Sequence, residues 1–209
     1  MINMSDELIL YDGVQFTKND WRNRNKIKTP LGAQWVTIPV EHHFGQKICE
    51  TCVCNDTWRQ KHWKAIVQNY SKSKYFEYFK PLFVDLYLNS SEMQLSKINF
   101  QFIMRINEIL GIKTPIKVMN EIDGNVEPTK RLVELCKQAS ADEYITGPAA
   151  KNYLKENLFE QANIKITWMD YSSYPEYDQL FLPFEHSVSI IDLIFNAGID
   201  AHKYLKSFA

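Results

Sequence analysis

Glycine and proline are scarce in this chain of 209 residues, at 7 and 8. Their scarcity argues against a flexible linker or a low-complexity stretch, and no internal repeat stands in their place. No apolar run is long enough to span a bilayer, so membrane insertion is not expected. The opening Met1-Ile2-Asn3-Met4-Ser5-Asp6-Glu7 lacks the basic and then apolar order of a secretory signal, and a cytoplasmic location is expected. An excess of either charge is also missing. The formal net charge is −1, and nothing in the balance asks for a nucleic acid or an anionic membrane as partner. Gly-rich phosphate loops, nucleophile elbows and paired metal knuckles do not occur.

Cysteine is limited to four residues, with Cys49, Cys52 and Cys54 clustered and Cys136 apart. Cys49-x-x-Cys52 suits a redox pair or, with His42 or His43, the start of a zinc site. The second knuckle of a structural zinc site is missing, so reduced thiols without a metal are expected.

What is present is an ordinary apolar fraction, 45%, enough for one domain over residues 1–209 with a helical insert at about 56–111. Leu8 to Tyr11 reads as a buried strand closed by Asp12-Gly13. Arg22 to Lys28 and Gln34 to Val40 flank the turn signal Thr29-Pro30-Leu31-Gly32, which predicts a β-hairpin. Thr57 to Tyr70 is helical, with Trp58, Ile66 and Tyr70 at helical spacing. Tyr75 to Leu88 is a helix expected to kink or restart at Pro81. Ser91-Glu92-Met93-Gln94 matches a capping box, and Leu95, Ile98, Phe102, Ile106 and Ile109 then form a core stripe that stops at Gly111.

The second half alternates. Strands are expected at Pro115 to Met119, Glu143 to Thr146 and Ile164 to Met169. Helices are expected at Pro128 to Ala139, Ala149 to Glu156 and Ser187 to Asn196. This order predicts an α/β fold: a mainly parallel sheet with helices on both faces, plus the hairpin and the helical insert. Ligands in such folds bind beyond the carboxyl ends of the strands. That rule points to Asp12, the segment after Met119, Gly147 and Asp170.

The densest polar segment runs from Tyr11 to Lys28. If its second half is extended, Arg22, Arg24, Lys26 and Lys28 share one face. Four cations on one face repel each other unless solvent or an anion lies against them. They suit a phosphate or carboxylate site, or else a solvated edge strand whose charges prevent further pairing. Trp21, Asn23, Asn25 and Asp12 tilt the balance toward a site. Gly147-Pro148 offers a helix start with free amides, or plain turn chemistry. Asp170 and Tyr171, followed by Tyr174 and Tyr177, suit a sugar or nucleobase, or a packed loop. Ser189 and Asp192 are either site residues or a cap and a first-turn carboxylate. His62 is a candidate general base, or a hydrogen-bonded core histidine.

Several ordered blocks run through nearly the whole chain. They are Tyr11-Asp12-x-Val14-Gln15-Phe16, Trp21-x-Asn23-Arg24-Asn25-x-Ile27-Lys28 and Gln34-Trp35-x-x-x-Pro39-Val40. Lys61-His62 and Asn69-Tyr70 follow, then Thr146-Gly147-Pro148-Ala149-Ala150-Lys151-x-Tyr153-Leu154. The last is Ser189-Ile190-Ile191-Asp192-Leu193-Ile194-Phe195-Asn196-x-Gly198. Together they resemble the WbqC-like family. The resemblance implies a role in making bacterial O-antigen lipopolysaccharide or a related surface glycan, as a transferase of a glycine-like amino-acid or acyl group. It gives weight to Asp12, Asn23, Arg24, Gly147 and Asp192. The family usually opens with a further strand, a loop and a short helix. This chain starts near the end of that helix, so the first family strand is expected to be missing. A homodimer could then cover the exposed edge.

On this reading Arg22, Arg24 and Lys26 hold the diphosphate of a nucleotide sugar or another anionic small molecule, with Gln15, Asn23, Asp170, Tyr171, Ser189 and Asp192 around it. Asp12 or His62 takes a proton from the attacking sugar amine, and Gly147-Pro148 receives the developing oxyanion. No cofactor is expected beyond an activated acyl donor. The alternatives are a nucleotide-binding or nucleotidyltransferase-like protein, and a non-catalytic scaffold of a glycan-assembly complex. The first reading requires Arg24 and Gly147 to converge on one rim.

Overall fold

A computed structural model describes residues 1–119 and 126–208. The fold is α/β, with parallel and antiparallel strand pairs and six α-helices among the described residues. The chain divides into two compact units, residues 1–11 with 114–173 and residues 12–113 with 174–209.

In the first unit, β1 (Leu8–Tyr11) pairs in parallel with β4 (Ile116–Met119), and Tyr11 lies opposite Met119. A second parallel pair joins β5 (Glu143–Thr146) to β6 (Lys165–Trp168), with Thr146 opposite Trp168. Parallel pairing and the hairpin are as expected. Among the described residues, however, the parallel strands are hydrogen-bonded as two separate pairs rather than one continuous sheet. Helix α4 (Pro128–Gln138) starts on a proline, and the Glu127 carboxylate caps it by accepting from Lys130 N. It packs Val133 and Cys136 against Phe159 of α5 (Glu156–Gln161) and Ile164.

The helix expected over Ala149 to Glu156 is a 3₁₀ segment, Pro148–Asn152, followed by α5. Proline fits its first turn, but the backbone leaves helical geometry at Tyr153. The segment after Met119, one part of the expected ligand rim, lies outside the described residues.

In the second unit, β2 (Arg24–Thr29) and β3 (Gly32–Thr37) form the expected hairpin. The turn is held by Thr29, whose hydroxyl donates to the Gly32 carbonyl at 2.8 Å and accepts from Leu31 N at 3.1 Å. Gly32 has φ +105°, a conformation that glycine takes without strain. Helix α1 (Thr57–Tyr70) buries Trp58, Ile66 and Tyr70, the spacing that predicted it.

Helix α2 (Phe76–Val84) continues through Pro81, which is exposed. The irregularity comes later, as a π turn at Asp85–Asn89. Helix α3 (Leu95–Leu110) ends at Gly111 with φ 71°, as its stripe predicted. Its capping box does not form. Gln94 is the N-cap without a side-chain bond, because Glu92 Oε1 instead accepts from Met93 N and Gln94 N, both at 2.9 Å.

Helix α6 (Ile190–Ala197) is the centre of this unit's core. Its Phe195 ring meets Tyr70, Phe76 and Phe83 at centroid distances of 5.5, 5.1 and 5.0 Å. Each such ring removes enough apolar surface from water to stabilise the unit by about 2 kcal/mol or more. No helix among the described residues is long and apolar enough to cross a membrane.

Candidate anion-binding site

The hairpin register decides which side chains meet. Lys26 lies opposite Trp35, and Arg24 opposite Thr37, so both cations project on the face that carries the Trp35 ring. The Arg24 guanidinium carbon sits 4.3 Å from the ring centroid and the Lys26 ammonium 5.0 Å. Trp21 adds a second ring, 5.1 Å away and tilted by 44°. The two indoles stay 62% and 41% exposed, a large apolar area to leave in water. They form an open aromatic shelf with two cations held over it.

The four cations that share a face by sequence separate in space. Arg22 forms an ion pair with Asp20, next to it in the turn. Lys28 is buried, and its ammonium donates to the Pro183 carbonyl. Arg24 and Lys26 remain for a ligand.

Two polar atoms at neighbouring positions, Asn23 Oδ1 and Arg24 Nε, are under-satisfied among the described residues. Asn23 is 7% exposed; its amide nitrogen donates to the Ile38 carbonyl at 3.0 Å, while its Oδ1 is buried without a partner. The Nε of Arg24 is likewise buried and unpartnered. A bound oxygen could accept from that Nε, and a bound N–H or O–H could donate to the Asn23 oxygen. The backbone around them is fixed. Ile38 N donates to the Asn23 carbonyl at 2.7 Å, and Asn99 of α3 donates to the Arg22 carbonyl at 2.8 Å.

Asp12 opens a two-stranded contact with the 46–49 segment, where its carbonyl accepts from Cys49 N at 2.9 Å. Gln15 continues the contact as a bridge to Lys47. Asp12 is buried, and its Oδ1 has no hydrogen-bond partner among the described residues. The Cys49 thiol is pushed up from its ordinary value by burial and by the nearby Asp12 carboxylate. Cys49 is half-buried, while Cys52 and Cys54 are exposed thiols.

His62 is buried beside Trp58 and Tyr87, and its Nε2 lies 3.0 Å from the Thr37 carbonyl. Burial holds its pKa below the ordinary imidazole value. A neutral ring donating from Nε2 braces α1 against the hairpin.

Ser189 and Asp192 stand at the start of α6. The Ser189 hydroxyl accepts from Ile191 N at 3.5 Å, and Ser189 N donates to the Lys26 carbonyl at 2.8 Å. Asp192 is buried and accepts from Tyr177 at 2.7 Å, Tyr70 at 3.0 Å and Gln179 at 3.0 Å. Burial raises its pKa, and those donors oppose the shift. The Tyr70 hydroxyl in turn accepts from Lys28 N at 2.8 Å. The helix that carries Asp192 is thus tied to the strand that carries Arg24.

The remaining sequence-expected residues belong to the first unit. Gly147 and Asp170 follow the paired ends of β5 and β6, and a Cβ at Gly147 would sit 3.5 Å from the Tyr171 hydroxyl. Asp170 Oδ1 accepts from Ser172 N and its hydroxyl at 2.9 and 2.7 Å. Pro148 opens a 3₁₀ segment of five residues, too short for a strong helix dipole. The Lys151 ammonium lies 5.2 Å from the Trp168 ring centroid.

The model of the WbqC-like protein family matches residues 1–204. The chain belongs to the WbqC-like family. This family is linked to surface-polysaccharide biosynthesis. The chain is similar to an uncharacterized protein, Rv1507c, of Mycobacterium tuberculosis (strain ATCC 25618 / H37Rv), at 41% identity over 208 residues. The match covers 99% of this chain and 90% of the relative. No solved structure matches the chain. Within the WbqC-like blocks, sequence reasoning singled out the cations but not Trp35 as their platform. The signal was available, because a two-residue loop between Thr29 and Gly32 sets Lys26 against Trp35.

Proposed function

We propose that this WbqC-like protein binds a nucleotide-linked amino sugar on the hairpin face and transfers a glycine-like amino-acid or acyl group to it. The observation that carries the reading is the Trp35 shelf. Two cations lie over the exposed Trp35 ring, and the Nε of Arg24 itself and the Oδ1 of neighbouring Asn23 are buried without partners among the described residues. Charges that merely guard a sheet edge need neither feature.

In this reading Arg24 and Lys26 take the diphosphate, and an indole stacks on the base or sugar. The free oxygen of Asp12 takes the proton from the sugar amine as that amine attacks the acyl carbon. The C–N bond forms, and the bond to the donor's leaving group breaks. Asp12 suits this role better than His62, whose Nε2 is committed to a backbone carbonyl.

Isothermal titration with UDP- and dTDP-linked amino sugars tests the reading. Saturable binding is expected, weakened at least about tenfold (~1.4 kcal/mol) by Arg24→Ala and by Trp35→Ala. Both variants should keep their melting temperature within about 2 °C, because these side chains support no core. Folded protein that binds none of these sugars would overturn it.

A further inference from the structure

A second polar feature of the same unit is untouched by that reading. A cleft of about 410 Å³ is lined by the 72–75 turn, by residues 177–180 and by the end of α6 with the chain after it. Three tyrosines, Tyr75, Tyr177 and Tyr204, contribute to its walls, together with Asp178, Gln179, Asn196 and Asp200. Aromatic rings beside short carboxylates and amides are the surface that a sugar requires. The rings cover its C–H faces, and a carboxylate such as that of Asp178 accepts from its hydroxyls.

The polar wall is rigid. Tyr177, Gln179 and Asn196 all bond the buried Asp192 carboxylate, and Gln179 also exchanges two bonds with the Glu185 backbone, at 2.8 and 2.9 Å.

Ser73 supplies the independent sign of a ligand. It is 7% exposed and lines the cleft, and its hydroxyl is buried with no partner among the described residues. A serine hydroxyl readily finds a backbone carbonyl nearby, so an orphan one at a cleft wall marks a place for an incoming polar group. On either side, Lys72 and Lys74 line the same cleft. The Lys74 ammonium lies 5.0 Å from the Tyr75 ring centroid. Of the two acids, Asp200 is bonded to Lys203 at 2.6 Å, which leaves Lys72 and Lys74 as the stronger local charge.

We propose that this cleft binds a saccharide that carries an anionic group, with the sugar against the tyrosines and the phosphate or carboxylate at Ser73, Lys72 and Lys74. The inference stands on different residues from the hairpin reading, and neither depends on the other.

Backbone-amide NMR of the full chain tests it, with glucose 1-phosphate, glucuronate, glucose and inorganic phosphate titrated separately. The two anionic sugars should give saturable shifts at residues 72–75, 177–180 and 196–204. Glucose and phosphate alone should bind at least tenfold more weakly. Ser73→Ala should weaken anionic-sugar binding severalfold without lowering the melting temperature, since it removes a hydroxyl with no partner among the described residues. The double variant Lys72→Ala/Lys74→Ala should abolish the shifts, while Arg24→Ala should leave them intact. Silence of the cleft toward both anionic sugars, or equal binding of bare phosphate, would overturn the proposal. Shifts confined to residues 21–26 and 35 would also overturn it, while supporting the hairpin reading.

Discussion

A histidine on the buried side of a helix has two ring nitrogens to place, and His62 commits one of them to the Thr37 carbonyl. Its surroundings are otherwise rings, those of Trp58 and Tyr87. Burial disfavours the imidazolium, so the folded pKa lies below the ordinary 6.5. The sign of the linkage follows. The unfolded chain binds the proton more tightly than the folded one, so the stability tied to neutral His62 is full above that ordinary value and is lost as pH falls. His62→Gln keeps a donor toward Thr37 and removes the titration. We expect wild-type stability, read by urea unfolding, to fall more between about pH 7.5 and pH 5 than that of His62→Gln. Parallel curves for the two proteins would show that His62 does not titrate against folding.

At the scale of one element, α6 shows how a short helix becomes indispensable. Ser189 caps it, five of its eight residues are buried, and it stops at Gly198 with φ +64°. That stop is also a close approach. A Cβ built on Gly198 would lie 2.3 Å from the Tyr75 ring, and Tyr75 N donates to the Phe195 carbonyl at 2.9 Å. The ring therefore has little freedom to retreat. Gly198→Ala adds left-handed backbone strain to a steric clash, and should destabilise by roughly 3 kcal/mol or more. The expected loss in melting temperature by calorimetry is on the order of 6–12 °C. Gly147→Ala serves as the control, because its Cβ would make an ordinary 3.5 Å contact and should cost far less.

At the scale of the molecule, each compact unit has a core of its own, and Asp192 is the polar centre of the second. Its carboxylate joins α1 through Tyr70 and the 177–179 segment through Tyr177 and Gln179, and Tyr70 passes the link to β2 at Lys28. Removing it takes an acceptor from two hydroxyls, those of Tyr70 and Tyr177, and from two amides, those of Gln179 and Asn196. Asp192→Ala should therefore cost about 3–5 kcal/mol, while Asp192→Asn, which keeps an acceptor oxygen, should cost less. Urea midpoints of the two variants check the order. The same substitutions should weaken ligand binding in the tyrosine cleft, because Asp192 holds that wall in place.

Some of this was settled by local chemistry. Helix α1, helix α3 and the hairpin follow from apolar spacing, from Gly111 as a stop and from Thr29-Pro30-Leu31-Gly32 as a turn, none of which needs a distant partner. Family membership was legible too, since it rests on ordered blocks rather than on contacts. The tertiary structure decided what sequence spacing leaves open. Arg22, Arg24, Lys26 and Lys28 alternate identically along the chain, yet only Arg24 and Lys26 lie over Trp35. Lys28 reaches the Pro183 carbonyl, and Arg22 turns to Asp20. Likewise, Ser73 is an unremarked turn residue until the fold brings residues 177–180 and the end of α6 to line one cleft with it. Period and propensity report which face a side chain takes. Its burial, and whether its polar atoms find partners, depend on segments far away in sequence, and only the packed fold brings those together.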